Sequence, residues 1–198
     1  MTPGRSMMKA LALNGSPRMD GTSASIAKDL GARLAGQGHV VTTFDLGCLR
    51  IGGCRECFSC RRDMNDECAT RDDLSEILEL ARSTDLLVVS TPVFYGDVSA
   101  QLKCFIDRTW SYFGRTGVSA DHLPRGRTLV FILSYGYNDP VIYDGIFEKY
   151  SRYFRMFGFD DCHLIKACGA QYLSPEITNR SDVAERIGHI LEMTATVR

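Results

Sequence analysis

Hydrophobic positions along this chain fall into short continuous apolar runs and longer runs with helical spacing. The apolar run that starts at Lys9 predicts a strand, and after a break Ile26, Leu30 and Leu34 recur at the spacing of a helix. The same order repeats along the chain. It predicts further strands at 39–44, 85–90, 128–133 and 162–167, and further helices at 72–81, 102–113, 141–157 and 183–191.

Five strands that alternate with helices indicate an α/β fold. Parallel neighbours need crossover connections, which place helices on both faces of one parallel sheet. No repeat, low-complexity tract or linker interrupts the pattern, so we expect a single domain over 1–198 with a loose tail at 1–7. Ligands of such sheets bind beyond the carboxyl ends of the strands. The loops that follow the first, third and fourth strands therefore lie on one edge of the sheet.

The loop after the first strand, Asn14-Gly15-Ser16-Pro17, leads into the N-terminus of a helix. Unpaired backbone N–H groups and the positive end of the helix dipole attract anions there. Hydroxyl donors and one guanidinium are added by Ser16, Thr22, Ser23 and Arg18. The motifs of dinucleotide and nucleoside triphosphate loops are absent, so the loop suits the terminal phosphate of FMN. The alternative is an ordinary strand–helix turn in which Ser23 caps the helix.

The loop after the third strand has the composition that a flat aromatic cofactor needs. Pro92 fixes the backbone, Gly96 allows close approach, and Phe94 and Tyr95 offer stacking area. A second aromatic turn, at 134–137, follows the fourth strand on the same edge. Aromatic residues after a strand also occur as ordinary core residues, and that alternative stays open for each loop taken alone.

Four of the eight cysteines, Cys54, Cys57, Cys60 and Cys68, lie close together in the segment 47–70, which also contains Cys48 and is called here the four-cysteine loop. Their spacing, Cys-x2-Cys-x2-Cys-x7-Cys, is typical of a [4Fe–4S] cluster, because nearby thiolates reach neighbouring irons and a more distant cysteine completes the set. A zinc ion and metal-free thiols are the alternatives. A disulfide framework is not expected, because cytosolic thiols are kept reduced. The scattered cysteines are expected to be small buried hydrophobes: Cys48, Cys104, Cys162 and Cys168.

Composition narrows the class of partner. The formal net charge is −1 and there is no basic run or basic helix, so neither nucleic acid nor an anionic membrane is expected. No apolar stretch approaches membrane-spanning length and no hydrophobic signal core precedes the first strand, so we expect a cytoplasmic protein. The four histidines are isolated and no Gly-x-Ser-x-Gly or His-Glu-x-x-His motif occurs. No catalytic acid, base or nucleophile is therefore expected.

Several groups of residues together carry a family resemblance. The motifs that carry it are 14–18 with 21–23, 91–103 and 105–108. They resemble the NADPH-dependent FMN reductase group of the flavodoxin-like superfamily. With the four-cysteine loop and Asp72-Asp73 after it, the chain is most similar to the iron–sulfur flavoprotein branch. The resemblance implies a three-layer sandwich with sheet order 2-1-3-4-5, and a homodimer or homotetramer whose flavins lie near subunit contacts.

The resemblance also implies site residues, with two departures from the family pattern. It places the FMN phosphate at Ser16, Arg18, Thr22 and Ser23. It places the ring system at Pro92, Val93, Phe94, Tyr95, Gly96, Asp97, Ser134, Tyr135 and Gly136, and a cluster at Cys54, Cys57, Cys60 and Cys68. Thr22-Ser23 stands where family members commonly have Asn-Thr, which keeps a hydroxyl and loses an amide. The spacing from Cys60 to Cys68 is at the long end for the motif.

These features predict an FMN-dependent oxidoreductase. NAD(P)H or a protein donor would reduce the flavin, and electrons would leave to a quinone-like, nitro or protein acceptor, with a [4Fe–4S] cluster as a second carrier. One alternative is a non-enzymatic iron–sulfur flavoprotein that carries electrons between partner proteins. Another is a zinc-stapled domain that binds a different phosphate ligand.

Overall fold

The computed structural model describes residues 7–62, 67–113, 120, 122–170 and 177–196. Within these ranges, five parallel strands form one sheet in the order β2-β1-β3-β4-β5, which confirms the predicted topology. The strands are β1 Lys9–Asn14, β2 Val40–Asp45, β3 Leu86–Pro92, β4 Thr128–Ser134 and β5 Asp161–Ala167. The tail predicted at 1–7 lies outside the described residues except for Met7, which is exposed.

Helices cover both faces of the sheet. They are α1 Thr22–Gly36, α2 Ser59–Arg62, α3 Leu74–Ser83, α4 Ala100–Arg108, α5 Asp144–Met156 and α6 Ser181–Thr196. Successive strand side chains point to opposite faces, so Leu11 and Leu13 share a core with α3, α4 and α5, whereas Ala10 and Ala12 share one with α1 and α6. The predicted three layers are thus present. Among the described helices, none has the length and apolar character needed to cross a membrane.

The helix predicted over 102–113 is shorter in the structure. It ends at Arg108, and a 3-10 turn continues over Thr109–Phe113. The Thr109 hydroxyl donates to the Ile106 carbonyl at 2.6 Å, and the Ser111 hydroxyl donates to the Arg108 carbonyl at 3.0 Å. Such side-chain bonds compete with the helical ladder, which explains a break that the apolar spacing did not reveal.

The helix predicted over 141–157 begins later, at Asp144. The Val141 N–H donates to the Asp139 carboxylate at 2.9 Å, and the Asp144 N–H donates to the Val141 carbonyl at 3.1 Å. An aspartate that binds a backbone N–H two residues on forms a turn, so the residues before Asp144 make a loop at the same edge of the sheet as the aromatic segments.

Candidate functional site

Asn14, at the end of β1, joins three strand ends. Its side chain is buried, and its amide donates to the Asp45 carboxylate at the end of β2, at 2.7 Å. Its side-chain oxygen accepts from the Ser16 N–H at 3.1 Å and from the Ser90 hydroxyl of β3 at 3.2 Å. The hydroxyl-rich loop therefore starts from a fixed point, because these three buried hydrogen bonds hold the Asn14 side chain in one geometry.

Gly15 brings the loop into close contact with β3 and with the start of α4. Its N–H donates to the Ser90 carbonyl at 2.7 Å, and its carbonyl accepts from the Ser99 hydroxyl at 2.6 Å. A Cβ at this position would lie 2.8 Å from the Cβ of Leu102. Only glycine fits this approach of two backbones.

Ser23 does not cap α1. The N-cap residue is Gly21, with no side-chain capping bond, so the alternative in which Ser23 caps the helix is wrong. The Ser23 hydroxyl oxygen is instead buried and has no hydrogen-bond partner among the described residues. Ser16 and Thr22 are also buried, whereas Arg18 is exposed. A buried hydroxyl beside a helix N-terminus lacks the partner that such groups normally have, and a bound anion would supply it.

The loops after β1, β3 and β4 line one cavity of about 440 Å³, called here the strand-end cavity. Its walls are Ser16, Arg18, Gly21, Thr22, Ser23, Pro92, Val93, Phe94, Ser134, Tyr135, Gly136 and Ala170. Sequence reasoning missed two of these residues. Gly21 contributes backbone beside Ser16, and Ala170 is brought in by its N–H bond to the Tyr135 carbonyl at 2.9 Å. Neither carries a chemical signal in the sequence.

Three predicted ring-binding residues, Tyr95, Gly96 and Asp97, do not line this cavity. They form a tight turn in which Phe94 and Asp97 exchange backbone hydrogen bonds. Tyr95 is fully exposed and has a φ of 50°, a left-handed conformation that is costly for a residue with a Cβ. The turn therefore projects beyond the cavity wall that Phe94 forms.

Asp97 holds this turn against α5. Its carboxylate accepts from the Lys149 ammonium at 2.6 Å and from the Tyr150 hydroxyl at 2.9 Å. Burial pushes the pKa of Asp97 upward, but the bonds from Lys149, the Val98 N–H and Tyr150 outweigh it and lower the pKa. The carboxylate is thus ionised at neutral pH and fixes the edge of the aromatic segment.

Tyr135 is the phenol in the wall of the strand-end cavity. Burial raises its pKa to about 12, and its hydroxyl donates to the Pro140 carbonyl at 3.3 Å. Its ring meets the Tyr143 ring edge to face, with centroids 5.0 Å apart. The hydroxyl therefore stays protonated and the ring is held in place, which suits a wall more than a proton donor.

The four cysteines of the four-cysteine loop line a second cavity of about 370 Å³, called here the thiol cavity. Cys54 and Cys57 are exposed, and Cys60 and Cys68 are half-buried. Ser59 lowers the pKa of Cys57 through hydrogen bonds, whereas burial raises the pKa of Cys60. Residues 63–66 of this loop lie outside the described residues.

The backbone of the four-cysteine loop has two unusual conformations. Glu56 and Phe58, on either side of Cys57, have φ values of 52° and 56°. Left-handed conformations of such residues cost energy and cluster at functional sites. In the described part of the chain, no three His, Cys, Asp or Glu side chains are placed to hold a single metal ion.

Asp72, which sequence reasoning assigned to the start of a helix, does take part in starting α3. Its Oδ1 accepts from the Leu74 N–H at 3.0 Å, and its Oδ2 accepts from the Gly52 N–H at 2.9 Å. It also pairs with Arg108, a contact that the sequence pattern gave no reason to expect. Burial would lower the pKa of Arg108, but Asp72 and the Cys68 thiol outweigh it and raise the pKa, so the guanidinium stays charged.

A parallel sheet in this order, with helices on both faces and a polar cavity beyond the strand ends, defines a flavodoxin-like protein. Residues 8–139 match the sequence model of a family described as NADPH-dependent FMN reductase. The chain therefore belongs to the NADPH-dependent FMN reductase family, as the motifs indicated.

Relatives that match the chain at about 30% sequence identity include iron–sulfur flavoproteins. One from Archaeoglobus fulgidus is 33% identical over 105 residues, which are 53% of this chain and 47% of the relative. One from Methanocaldococcus jannaschii is 30% identical over 102 residues, 52% of each chain, and one from Methanosarcina thermophila is 33% identical over 109 residues, again 52% of each. The chain spans about half the length of the relatives that it matches.

Solved structures support the fold. An FMN-dependent NADH-azoreductase from Bacillus anthracis, in complex with FMN, has a TM-score of 0.67 at 20% identity, and the match covers 96% of this chain and all of the other. An NAD(P)H:quinone oxidoreductase from Methanothermobacter marburgensis has a TM-score of 0.66 at 17% identity, covering 98% of this chain and all of the other. At these identities the likeness concerns the fold.

Proposed function

We propose that this protein is an FMN-dependent oxidoreductase and that the strand-end cavity holds the FMN. FMN, when bound, would accept a hydride from NAD(P)H or electrons from a protein donor and pass them to a quinone-like, nitro or protein acceptor. The chain's own part is to bind and orient the flavin and to limit the access of water. Membership of the family and the names of its relatives support this proposal.

The observation that carries the proposal is the buried, unpartnered Ser23 hydroxyl in the wall of the strand-end cavity. Together with Ser16, Thr22 and Arg18 it would bind the FMN phosphate at the N-terminus of α1, where the helix dipole favours an anion. The loss of an amide relative to the usual Asn-Thr pair leaves hydroxyl donors as the main contacts. Hydroxyls and free N–H groups are enough for a phosphate monoester.

The ring system would occupy the other half of the same cavity. Pro92, Val93 and Phe94 form one wall and Ser134, Tyr135 and Gly136 form another. The Val93 N–H donates to the Ser134 carbonyl at 2.9 Å, so the two walls hold each other in place. Tyr95, Gly96 and Asp97 would then border the flavin from the projecting turn, as the family resemblance implies.

The same edge supports the proposed homodimer or homotetramer. Large apolar side chains are exposed in the segments that border the strand-end cavity, at Tyr95, Tyr137, Val141 and Ile142. Exposed apolar patches commonly mark interfaces. Light scattering during gel filtration would give the mass of the assembly, and a monomer at micromolar concentration would contradict this part of the proposal.

The second part of the proposal concerns the thiol cavity. Four thiols around one space fit a [4Fe–4S] cluster, in which each thiolate binds a different iron. Cys54, Cys57, Cys60 and Cys68 would hold it, and it would supply one-electron transfer. This cavity also favours a second candidate function, a non-enzymatic electron carrier. Steady oxidation of NAD(P)H with an artificial acceptor supports the enzyme, and its absence in a protein that holds both cofactors supports the carrier.

Visible spectroscopy and FMN titration test the flavin assignment. We expect a yellow protein, or a colourless one that FMN reconstitutes, and we expect Arg18→Ala to weaken FMN binding about tenfold, since one charge-assisted bond to phosphate is lost. Arg33→Ala is the control, because Arg33 is an exposed arginine of α1 that pairs with Asp29 and does not line the cavity. A colourless protein that FMN cannot reconstitute would refute the proposal.

A further inference from the structure

We propose that Arg108, the last residue of α4, is a positioning residue that closes the base of the four-cysteine loop and offers a hydrogen-bond donor to the anionic group held by its thiols. The side chain is fully buried, which is rare for arginine unless it is paired. Its Nη1 donates to the Gly52 carbonyl at 3.3 Å and its Nη2 to the Thr70 carbonyl at 2.7 Å. All four cysteines lie between Gly52 and Thr70, so one side chain holds both ends of the thiol-bearing segment.

Asp72 completes this connection between the two ends of the four-cysteine loop, called here the tie. Its Oδ1 accepts from Arg108 Nη1 at 2.5 Å, while its Oδ2 accepts from the Gly52 N–H at 2.9 Å. The carboxylate thus compensates the buried charge of Arg108. It also binds Gly52, the same end of the loop that the guanidinium binds. A second pair lies further out: Asp73 Oδ2 accepts from the Arg50 N–H at 2.7 Å. These contacts hold the two ends of the loop, called here its neck, close together. Among the residues that make them, Arg108 alone belongs to α4.

The Nε of Arg108, unpaired among the described residues, indicates that the thiol cavity holds a hydrogen-bond acceptor. This atom is buried and has no hydrogen-bond partner among the described residues. Arg108 also lines the thiol cavity, together with all four cysteines. A charged donor left unpaired in a buried position needs an acceptor, and four thiolates around an iron–sulfur core form an anionic one. Hydrogen bonds to the sulfurs and nearby charge raise the reduction potential of such clusters.

Lysine cannot replace arginine in this arrangement. The planar guanidinium presents its N–H groups as a fixed fork, whereas an ammonium is a single charged point on a flexible stem. Arg108→Lys therefore keeps the positive charge but loses the hydrogen bonds that join the two ends of the loop. The variant separates the effect of the charge from the effect of those bonds. The contacts of Arg108 with both ends of the loop exist without any bound group, so only the cluster measurements rest on the proposed function.

Thiol labelling tests the tie on the full chain. Apo protein is reduced and treated with a maleimide, and the label at each cysteine is followed by mass spectrometry. We expect the half-buried Cys60 and Cys68 to react about fivefold faster or more in Arg108→Met and Arg108→Lys, approaching the exposed Cys48, because the loop opens when its neck is released. Lys103→Gln is the matched control, since Lys103 is a partly exposed cation of the same helix. Rates equal to wild type in both Arg108 variants would overturn the proposal.

Two further measurements keep the result interpretable. If Arg108→Met does not fold, as judged by circular dichroism, Asp72→Asn takes its place with the same expected increase, and an unchanged rate in Asp72→Asn overturns the tie. After anaerobic reconstitution, we expect bound iron per chain to fall by about half or more in Arg108→Met, and any cluster formed in Arg108→Lys to have a lower reduction potential. An unchanged potential overturns the donor role. If the wild type takes up no iron or no FMN, the proposed function fails while the labelling result stands.

Discussion

The strand-end cavity and the thiol cavity are similar in size, at about 440 and 370 Å³, but different bonds build them. The first is walled by the ends of β1, β3 and β4, which backbone bonds such as Gly15 to Ser90 and Val93 to Ser134 hold together. The second is walled by one loop together with the end of α4 and the turn after it, and side chains fasten that loop to α4. A site made by the sheet is as stable as the fold, whereas a site made by a loop opens at its own lower free energy.

The largest expected effect is a loss of iron binding that leaves FMN binding unchanged. Cys57→Ala removes one of four cluster ligands, so we expect iron bound after anaerobic reconstitution to fall about tenfold from about four atoms per chain. FMN affinity should stay within about twofold of wild type, because the strand-end cavity does not share this loop. Iron analysis and FMN titration measure the two quantities.

Cys48→Ala is the control for that experiment. Cys48 belongs to the same segment, is exposed and does not line the thiol cavity. Wild-type iron content is expected for it. If Cys57→Ala kept its full iron content, the thiol cavity would not be the cluster site.

The next effect acts on the strand-end cavity alone. Gly15→Ala places a methyl group 2.8 Å from the Leu102 Cβ and 3.0 Å from the Ser90 carbonyl oxygen. We expect a loss of about 1–3 kcal/mol in the free energy of unfolding, measured with urea, as for other overpacked sites. FMN affinity should fall as well, since the phosphate loop must move. Gly36→Ala, at a glycine of α1 with nothing within 4 Å of the added Cβ, should be neutral or slightly stabilising.

Ser23→Ala gives a smaller effect that distinguishes a ligand site from a packing defect. The hydroxyl has no partner among the described residues, so its removal should leave the apo protein as stable as wild type or more stable. FMN affinity should fall about fivefold, the value of one hydrogen bond. Ser25→Ala, two residues further along α1 and outside the cavity wall, should leave FMN affinity unchanged. If Ser23→Ala bound FMN as tightly as wild type does, this hydroxyl would not be a ligand of the phosphate.

The smallest effect concerns the turn that Asp97 anchors. Its pKa in the folded protein lies below the ordinary 3.8, so the stability from its contacts is complete above that pH and is lost as the pH falls through the folded pKa. We expect Asp97→Asn to be less stable than wild type by about 0.5–1 kcal/mol at pH 7, since the pair with Lys149 is partly exposed. The difference should shrink as the pH falls below 3.8 in urea titrations. A constant difference across this range would show that the carboxylate charge is not responsible.

The strands and the strand-end cavity could be predicted from the residues because they depend on local patterns, whereas the sheet order was implied by the family resemblance. Continuous apolar runs marked the strands, and parallel alternation placed the loops at Ser16, Pro92 and Ser134 on one edge. The contacts that the sequence could not reveal join residues far apart along the chain. Arg108 with Asp72 and Asp97 with Lys149 each pair side chains from different elements, and neither partner differs in pattern from an ordinary surface charge.

Local hydrogen bonds account for the remaining differences. The Thr109 hydroxyl ended a helix whose apolar spacing continued unbroken, and Gly21 rather than Ser23 occupied the N-cap of α1. Both depend on backbone angles that a single sequence does not specify. The exposed position of Tyr95 has the same origin, because its turn is set by the bonds between Phe94 and Asp97.

The pairing of Asn14 has a consequence for the chemical ageing of the chain. In an Asn-Gly dipeptide, the glycine nitrogen readily attacks the side-chain amide carbon and expels ammonia to form a succinimide, which water opens to aspartate or isoaspartate. Here that nitrogen is bound to the Ser90 carbonyl and the amide is bound to Asp45, so the native fold withholds both reactants. A chain left unfolded loses this protection, and the carboxylate that replaces Asn14 would then face Asp45 with no proton to donate.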